Sequence, residues 1–84
     1  MHRADLELVL AIRAHGTLSA AALHLDITAP AVTKRLAAIE RQLGQRLFLR
    51  TTRRVSATAE GDVVCEHAQT LLQGFQDMEL DLQT

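Results

Sequence analysis

Residues 17–44 read TLSAAALHLDITAPAVTKRLAAIERQLG, two helical segments separated by only a few residues. Ser19 is a candidate N-cap for the first, a short run from Ala20 to Leu25 that opens on three alanines, small enough to let another helix backbone approach closely. Asp26 and Ile27 make a brief turn. Thr28 then caps the second segment, with Pro30 in its first turn, where a missing backbone N–H costs little. The apolar residues Val32, Leu36, Ile39 and Leu43 advance by 4, 3 and 4, the spacing of one buried helical stripe, while Thr33, Lys34, Ala37 and Arg41 fall on other faces and Gly44 stops the helix. A short helix, a tight turn and a helix opening on hydroxyl and small side chains form a helix-turn-helix, which places the start of its second helix in a major groove. An ordinary helical corner has the same pattern, so the flanking segments must discriminate.

Upstream, Asp5 is a candidate cap for a helix carrying Leu6, Val9 and Leu10, supported by Leu8 and Ile12, with Arg13 toward its edge and Gly16 as its stop. Downstream, Leu47–Arg50 and Val55–Ala57 are short extended stretches bracketing Thr51–Arg54, which predicts a small hairpin, or wing. Its turn lacks Gly, Asn and Asp, so it is not a two-residue turn. From Thr58 the remainder reads as one long helix. Its residues Val64, Ala68, Leu71, Phe75, Met78 and Leu82 are spaced 4, 3, 4, 3 and 4, a heptad seam that favours pairing with another helix. Gly74, costly in a helix by about 1 kcal/mol relative to Ala, marks a bend or a close helix approach. The expected fold is mainly α, a winged helix-turn-helix with a two-stranded β wing in residues 1–58 and a dimerisation helix in 59–84.

The 84 residues carry 48% hydrophobic side chains but only two aromatics, Phe48 and Phe75, a composition that favours a helical core. A chain this short buries only roughly 60% of its unfolded surface, and a partner subunit is the natural supplement. The net charge of -1 hides a division: nine bases stand against four acids before Thr58, and no base against six acids after it. A basic module joined to an acidic segment fits a chain whose first part meets phosphates.

Several classes are disfavoured. One cysteine, Cys65, allows no internal disulfide, and its expected place is half-buried beside the seam without a basic neighbour to activate it. His2, His15, His24 and His67 are scattered, with no metal-ligand spacing, so no metal or cofactor is expected; His15 and His24 are expected at helix ends on the surface, without a partner. No membrane segment or signal peptide is visible, since the apolar run Leu8–Ile12 is short and charge-flanked. A nucleophile, base and oxyanion set is not visible either, so no enzyme is expected, and the expected location is the bacterial cytoplasm, with the nucleoid.

The ordered segments Gly16–Ser19, Ala21–Ala22, Leu25–Thr33, Ile39–Glu40, Leu43–Gly44, Leu47–Thr51, Arg53–Arg54 and Thr58–Gly61 resemble the LysR-type transcriptional regulators over Asp5 to Gly61. The resemblance implies a winged-helix DNA-binding domain, a linker helix that pairs with its dimer mate, and an effector-binding domain that lies outside this chain. It also implies double-stranded DNA as partner, an interrupted palindrome as target, and homodimers that join into tetramers in full-length members. By matching positions it places Ala29, Pro30, Thr33 and Lys34 at the major groove. Thr33 suits a base edge or phosphate, Lys34 a guanine or phosphate, and Ala29 and Pro30 only apolar contact. The family usually has Gln where Ala29 stands, so one reading contact is missing, worth roughly 1 to 3 kcal/mol of discrimination.

Thr28, with the free N–H groups behind it, suits a phosphate. Arg53 and Arg54 match the family's arginine pair, suited to a narrow minor groove or its phosphates, with Thr51 and Thr52 adding phosphate hydrogen bonds. Arg35 is open between the DNA backbone and a solvated face, Arg50 is expected to pair with Glu40 or cap a carbonyl, and Arg13, Arg41 and Arg46 are expected as surface charges. The competing reading is a winged-helix module that binds or dimerises with protein instead of DNA.

Overall fold

The computed structural model describes residues 1–51 and 53–83. The backbone N–H of His2 donates to Asp5 Oδ2 at 2.9 Å, so Asp5 acts in the first turn of α1 (Arg3–His15) and His2, not Asp5, is the cap residue. Gly16 ends α1 at φ 74°, a left-handed conformation that a side chain disfavours, with its N–H returned to Ile12 O at 2.9 Å. Two residues later α2 (Leu18–Leu25) begins, capped by Thr17 Oγ1 on the Ala20 N–H at 3.0 Å. The cap therefore lies two residues before Ser19, because the reversal at Gly16 leaves no room for a longer connection.

Asp26 adopts φ 57°, and the N–H groups of Asp26 and Ile27 close onto Leu23 O and Ala22 O at 3.3 and 3.0 Å. This closure takes up the carbonyls of Ala22 and Leu23 and turns the chain sharply. Thr28 then caps α3 (Ala29–Leu43) as expected, its Oγ1 accepting the Ala31 N–H at 3.2 Å, and Gly44 ends α3 at φ 66°. Val32, Leu36 and Ile39 are buried along one stripe, while Leu43 is 39% exposed at the end of the helix.

Strands β1 (Phe48–Arg50) and β2 (Val55–Ala57) pair antiparallel, with Phe48 opposite Ala57 and Arg50 opposite Val55. Alternation along β1 decides which face meets the core: Phe48 is buried and Leu49 exposed. Burying a Phe side chain stabilises by about 1.5–3 kcal/mol, enough for this one ring to anchor a wing of three-residue strands. A second tie joins β2 to the end of α1, where the Val55 N–H donates to Gly16 O at 2.9 Å.

Thr58 caps α4 (Ala59–Gln83): its Oγ1 accepts the Gly61 N–H at 3.0 Å and donates to Arg46 O at 2.6 Å, while its N–H donates to Leu47 O at 2.9 Å. Residues Cys65 and Ala68 of α4 are buried in the same core as Leu8, Val9 and Ile12 of α1, and Gly61 is buried against Leu47 and Ala57. Ala68 is thus fully enclosed by its own chain. Cys65 is likewise fully buried, not half-buried, with its thiol directed to Val9 O at 3.6 Å. Its spacing of three from Ala68 places it on the α1-facing side of the helix. Among the described residues no helix is long and apolar enough to cross a membrane.

Candidate nucleic-acid interface and pairing face

The first turns of α3 present Thr28, Pro30 and Lys34 to solvent, with Thr33 half-buried beside them. Ala29 is half-buried and packs against the core, so its methyl serves the α2–α3 corner as well as the surface. Arg35 lies 4.0 Å from Asp5 Oδ1, a contact between α3 and α1 that holds its guanidinium toward the protein side. Such a pair, with the Arg35 side chain 37% exposed, is worth at most about 1 kcal/mol and leaves the side chain able to exchange partners.

The wing is held by its own turn. Thr51 N–H donates to Arg54 O at 2.8 Å, and the Arg54 N–H donates back to Thr51 Oγ1 at 3.1 Å. Thr51 therefore spends its hydroxyl on the turn, and Arg53 and Arg54 stand exposed at its tip. The expected phosphate contact at Thr52 lies outside the described residues. Arg50, Thr51, Arg53 and Arg54 line a groove of about 210 Å³ together with Thr17, Leu18 and Ser19 at the start of α2. Sequence reading had missed Thr17 and Ser19 as part of this basic face. The available signal was Thr17 itself, a better-placed cap than Ser19 once Gly16 is taken as the end of α1.

Arg50 does not pair with Glu40. Glu40 Oε2 instead accepts the backbone N–H groups of Leu47 and Phe48 at 2.7 and 3.3 Å, a charge-assisted clamp on the entry to β1. Arg50 is left exposed on the groove. Arg46 turns back to Phe48 O at 3.4 Å, and Arg13 is more than a surface charge, since it reaches Asp62 at 3.5 Å and ties α1 to α4.

On α4 the seam residues divide. Val64 packs partly against the core and Ala68 is buried, whereas Leu71, Phe75, Met78 and Leu82 are 53, 38, 53 and 80% exposed. At 3.6 residues per turn these four share one side of the helix, with Glu66 and Asp77 roughly opposite. The acids therefore leave the apolar strip clear. Two others are met by arginines of α1: Asp62 by Arg13, and Glu79 by Arg3 at 3.6 Å. Arg3 also bonds Glu7 and lies 5.1 Å above the Phe75 ring, a cation–π contact that fixes this ring at the edge of the strip. Burial pushes the Cys65 thiol above its ordinary 9.0, with the positive charge of Arg13 opposing the rise and the negative charge of Asp62 adding to it. A neutral, enclosed thiol is a packing group and not a nucleophile.

His15 and His24 stand exposed at helix ends as expected, but not without a partner. The α1–α2 corner brings their rings to 4.7 Å between centroids, tilted by 39°.

Residues 4–62 match the sequence profile of the bacterial regulatory helix-turn-helix proteins of the lysR family. The chain belongs to the lysR family. Within that family it is 43% identical over 76 residues to an uncharacterized HTH-type transcriptional regulator of Mycobacterium tuberculosis, covering 90% of this chain and 24% of the relative. It is 42% identical over 65 residues to the SDS degradation transcriptional activation protein of a Pseudomonas species, covering 77% of this chain and 21% of that protein. The lysR-family chain thus spans about a quarter of the length of these curated relatives. Among solved structures it is similar to CbnR_DBD in a DNA complex, with TM-score 0.94, 28% identity, and coverage of 99% of this chain and 95% of that one. It is also similar to BenM_DBD in complex with benA site 1 DNA, with TM-score 0.93, 26% identity, and coverage of 99% and 93%.

Proposed function

We propose that this lysR-family chain is the DNA-binding head of a transcription regulator, with α3 in a major groove and the wing in a minor groove or on its phosphates. The observation that carries the reading is the exposure of Thr28, Pro30 and Lys34 at the opening of α3, in a chain whose wing also exposes Arg53 and Arg54. The Ala29 N–H at the α3 start and the hydroxyl proton of Thr28 suit a phosphate, Lys34 suits a guanine edge or phosphate, and the arginines suit the narrow groove. Thr33 reads or positions beside them. Ala29 and Pro30 add only apolar contact, so the wing carries more of the specificity than it would beside a glutamine. Arg35 and Thr51 act on the DNA backbone, after Arg35 leaves Asp5 and the Thr51 hydroxyl leaves Arg54 O.

The same reading makes residues 59–84 the pairing element. Leu71, Phe75, Met78 and Leu82 meet a second copy, with Val64 at the edge of the contact and Ala68 beneath it, so that two heads bind an interrupted palindrome from the cytoplasm. Tetramers and effector response belong to chain beyond these residues. Titration of a duplex selected from a random pool tests the DNA reading. Affinity should fall steeply with salt, and Lys34→Ala and Arg53→Ala should each weaken binding and lower the log–log salt slope by about 1. Binding indifferent to both substitutions at low salt would favour a protein partner for the same surface.

A further inference from the structure

His15 closes α1, and His24 lies one residue before the end of α2; both are exposed. Nine positions separate them in sequence, a spacing that matches no local metal-binding pattern, yet the α1–α2 corner sets their ring centroids 4.7 Å apart. Two imidazoles that each give one nitrogen to a single ion at about 2.0–2.1 Å, subtending an angle of about 90–109°, hold their ring centres about 4.5–5.2 Å apart. The observed separation falls inside that interval. A second feature favours a cation at the same point. Both rings hang from the last turns of their helices, where the unpaired carbonyl ends concentrate partial negative charge.

We propose that His15 and His24 form a two-imidazole chelate for a zinc-class divalent ion, with water completing the coordination. Nitrogen donors select zinc, nickel or copper over calcium and magnesium, which require oxygen ligands. Among the described residues no group of three or more His, Cys, Asp or Glu is placed to hold a metal. The site is therefore open and exchangeable, unlike a closed four-ligand structural centre. An ion bound there braces the corner between α1 and α2, one residue from Gly16, whose carbonyl receives the Val55 N–H of the wing.

The test titrates ZnCl2 into the His2→Ala/His67→Ala chain, in which only this pair of imidazoles remains, by calorimetry and by thermal unfolding. One ion per chain and a higher unfolding temperature are expected, because an ion that binds only the folded state stabilises it. Adding His15→Ala, or separately His24→Ala, should weaken binding at least about tenfold, since even an outer-shell partner of a metal ligand is worth that much. His15→Gln and His24→Gln should do the same while circular dichroism reports an unchanged fold. Absence of saturable binding up to about 1 mM Zn2+ overturns the chelate. So does binding that survives either substitution unweakened.

Discussion

Gly61→Ala tests how α4 is seated on the wing. A Cβ at this position would overlap the carbonyl oxygen of Leu47 and lie 2.9 Å from its carbonyl carbon and 3.4 Å from Ala57 Cβ. Neither obstacle is a flexible side-chain end. Leu47 is fully buried, its N–H is held by Glu40 and its carbonyl accepts the Thr58 N–H that helps to start α4. Relief therefore requires shifting α4 from β1 or breaking that capping bond. Overpacking of this kind costs about 1–3 kcal/mol, and the better helix propensity of Ala offsets at most about 1 kcal/mol. With a net loss of about 1–2 kcal/mol and about 4–8 °C per kcal/mol in a domain of this size, the unfolding temperature should fall by roughly 5–15 °C. Gly74→Ala is the matched control on the same helix. Apart from its chain neighbours and its own helix backbone, no atom of the described residues lies within 4 Å of its added Cβ, so it should stabilise by up to about 1 kcal/mol. Both are measured by thermal and urea unfolding at one fixed chain concentration, because pairing of α4 would make the midpoint depend on concentration. A Gly61→Ala chain that unfolds at or above the wild-type temperature would refute the seating of α4 on Leu47.

Two other predictions follow from α4. Replacing Leu71 and Phe75 together by Asp should turn dimers into monomers in sedimentation equilibrium while leaving helix content intact, since both side chains are already solvent-exposed within one chain; a surviving dimer would move the contact elsewhere. Because burial raises the Cys65 thiol above its ordinary 9.0, the folded chain retains a proton that the unfolded chain releases, and stability should decline as pH rises past about 9. Cys65→Ala should unfold at lower urea throughout but lose the decline, and an unchanged slope in that variant would clear Cys65 as its source.

Much of the fold could be read locally. Gly16 and Gly44 end helices because left-handed backbone suits a residue without a side chain, and Thr28 and Thr58 start them because a hydroxyl can take up a free N–H. Where local reading slipped, it chose between adjacent polar residues. Asp5 and Ser19 are plausible caps, but His2 and Thr17 occupy those positions, and the choice turned on where the preceding segment reverses. Glu40 shows a different limit. A carboxylate ten residues before Arg50 suggests an ion pair, yet the nearer unpaired N–H groups of Leu47 and Phe48 take it, which depends on the route of the chain after Gly44.

The sequence by itself determined the order of the elements, the basic head with its acidic helix, and the residues that open α3, because caps, stops, periodicity and charge act over a few neighbours. The tertiary structure alone decided which side of α4 is internal. Its apolar residues form a band wider than one contact requires, and only the packing of α1 assigns Cys65 and Ala68 to the core and leaves Leu71, Phe75 and Met78 outside. It alone placed Arg13 on Asp62 and Arg3 over Phe75. It also brought His15 to His24, since the meeting of two helix ends depends on the angle at which the helices pack, a quantity that no local propensity encodes.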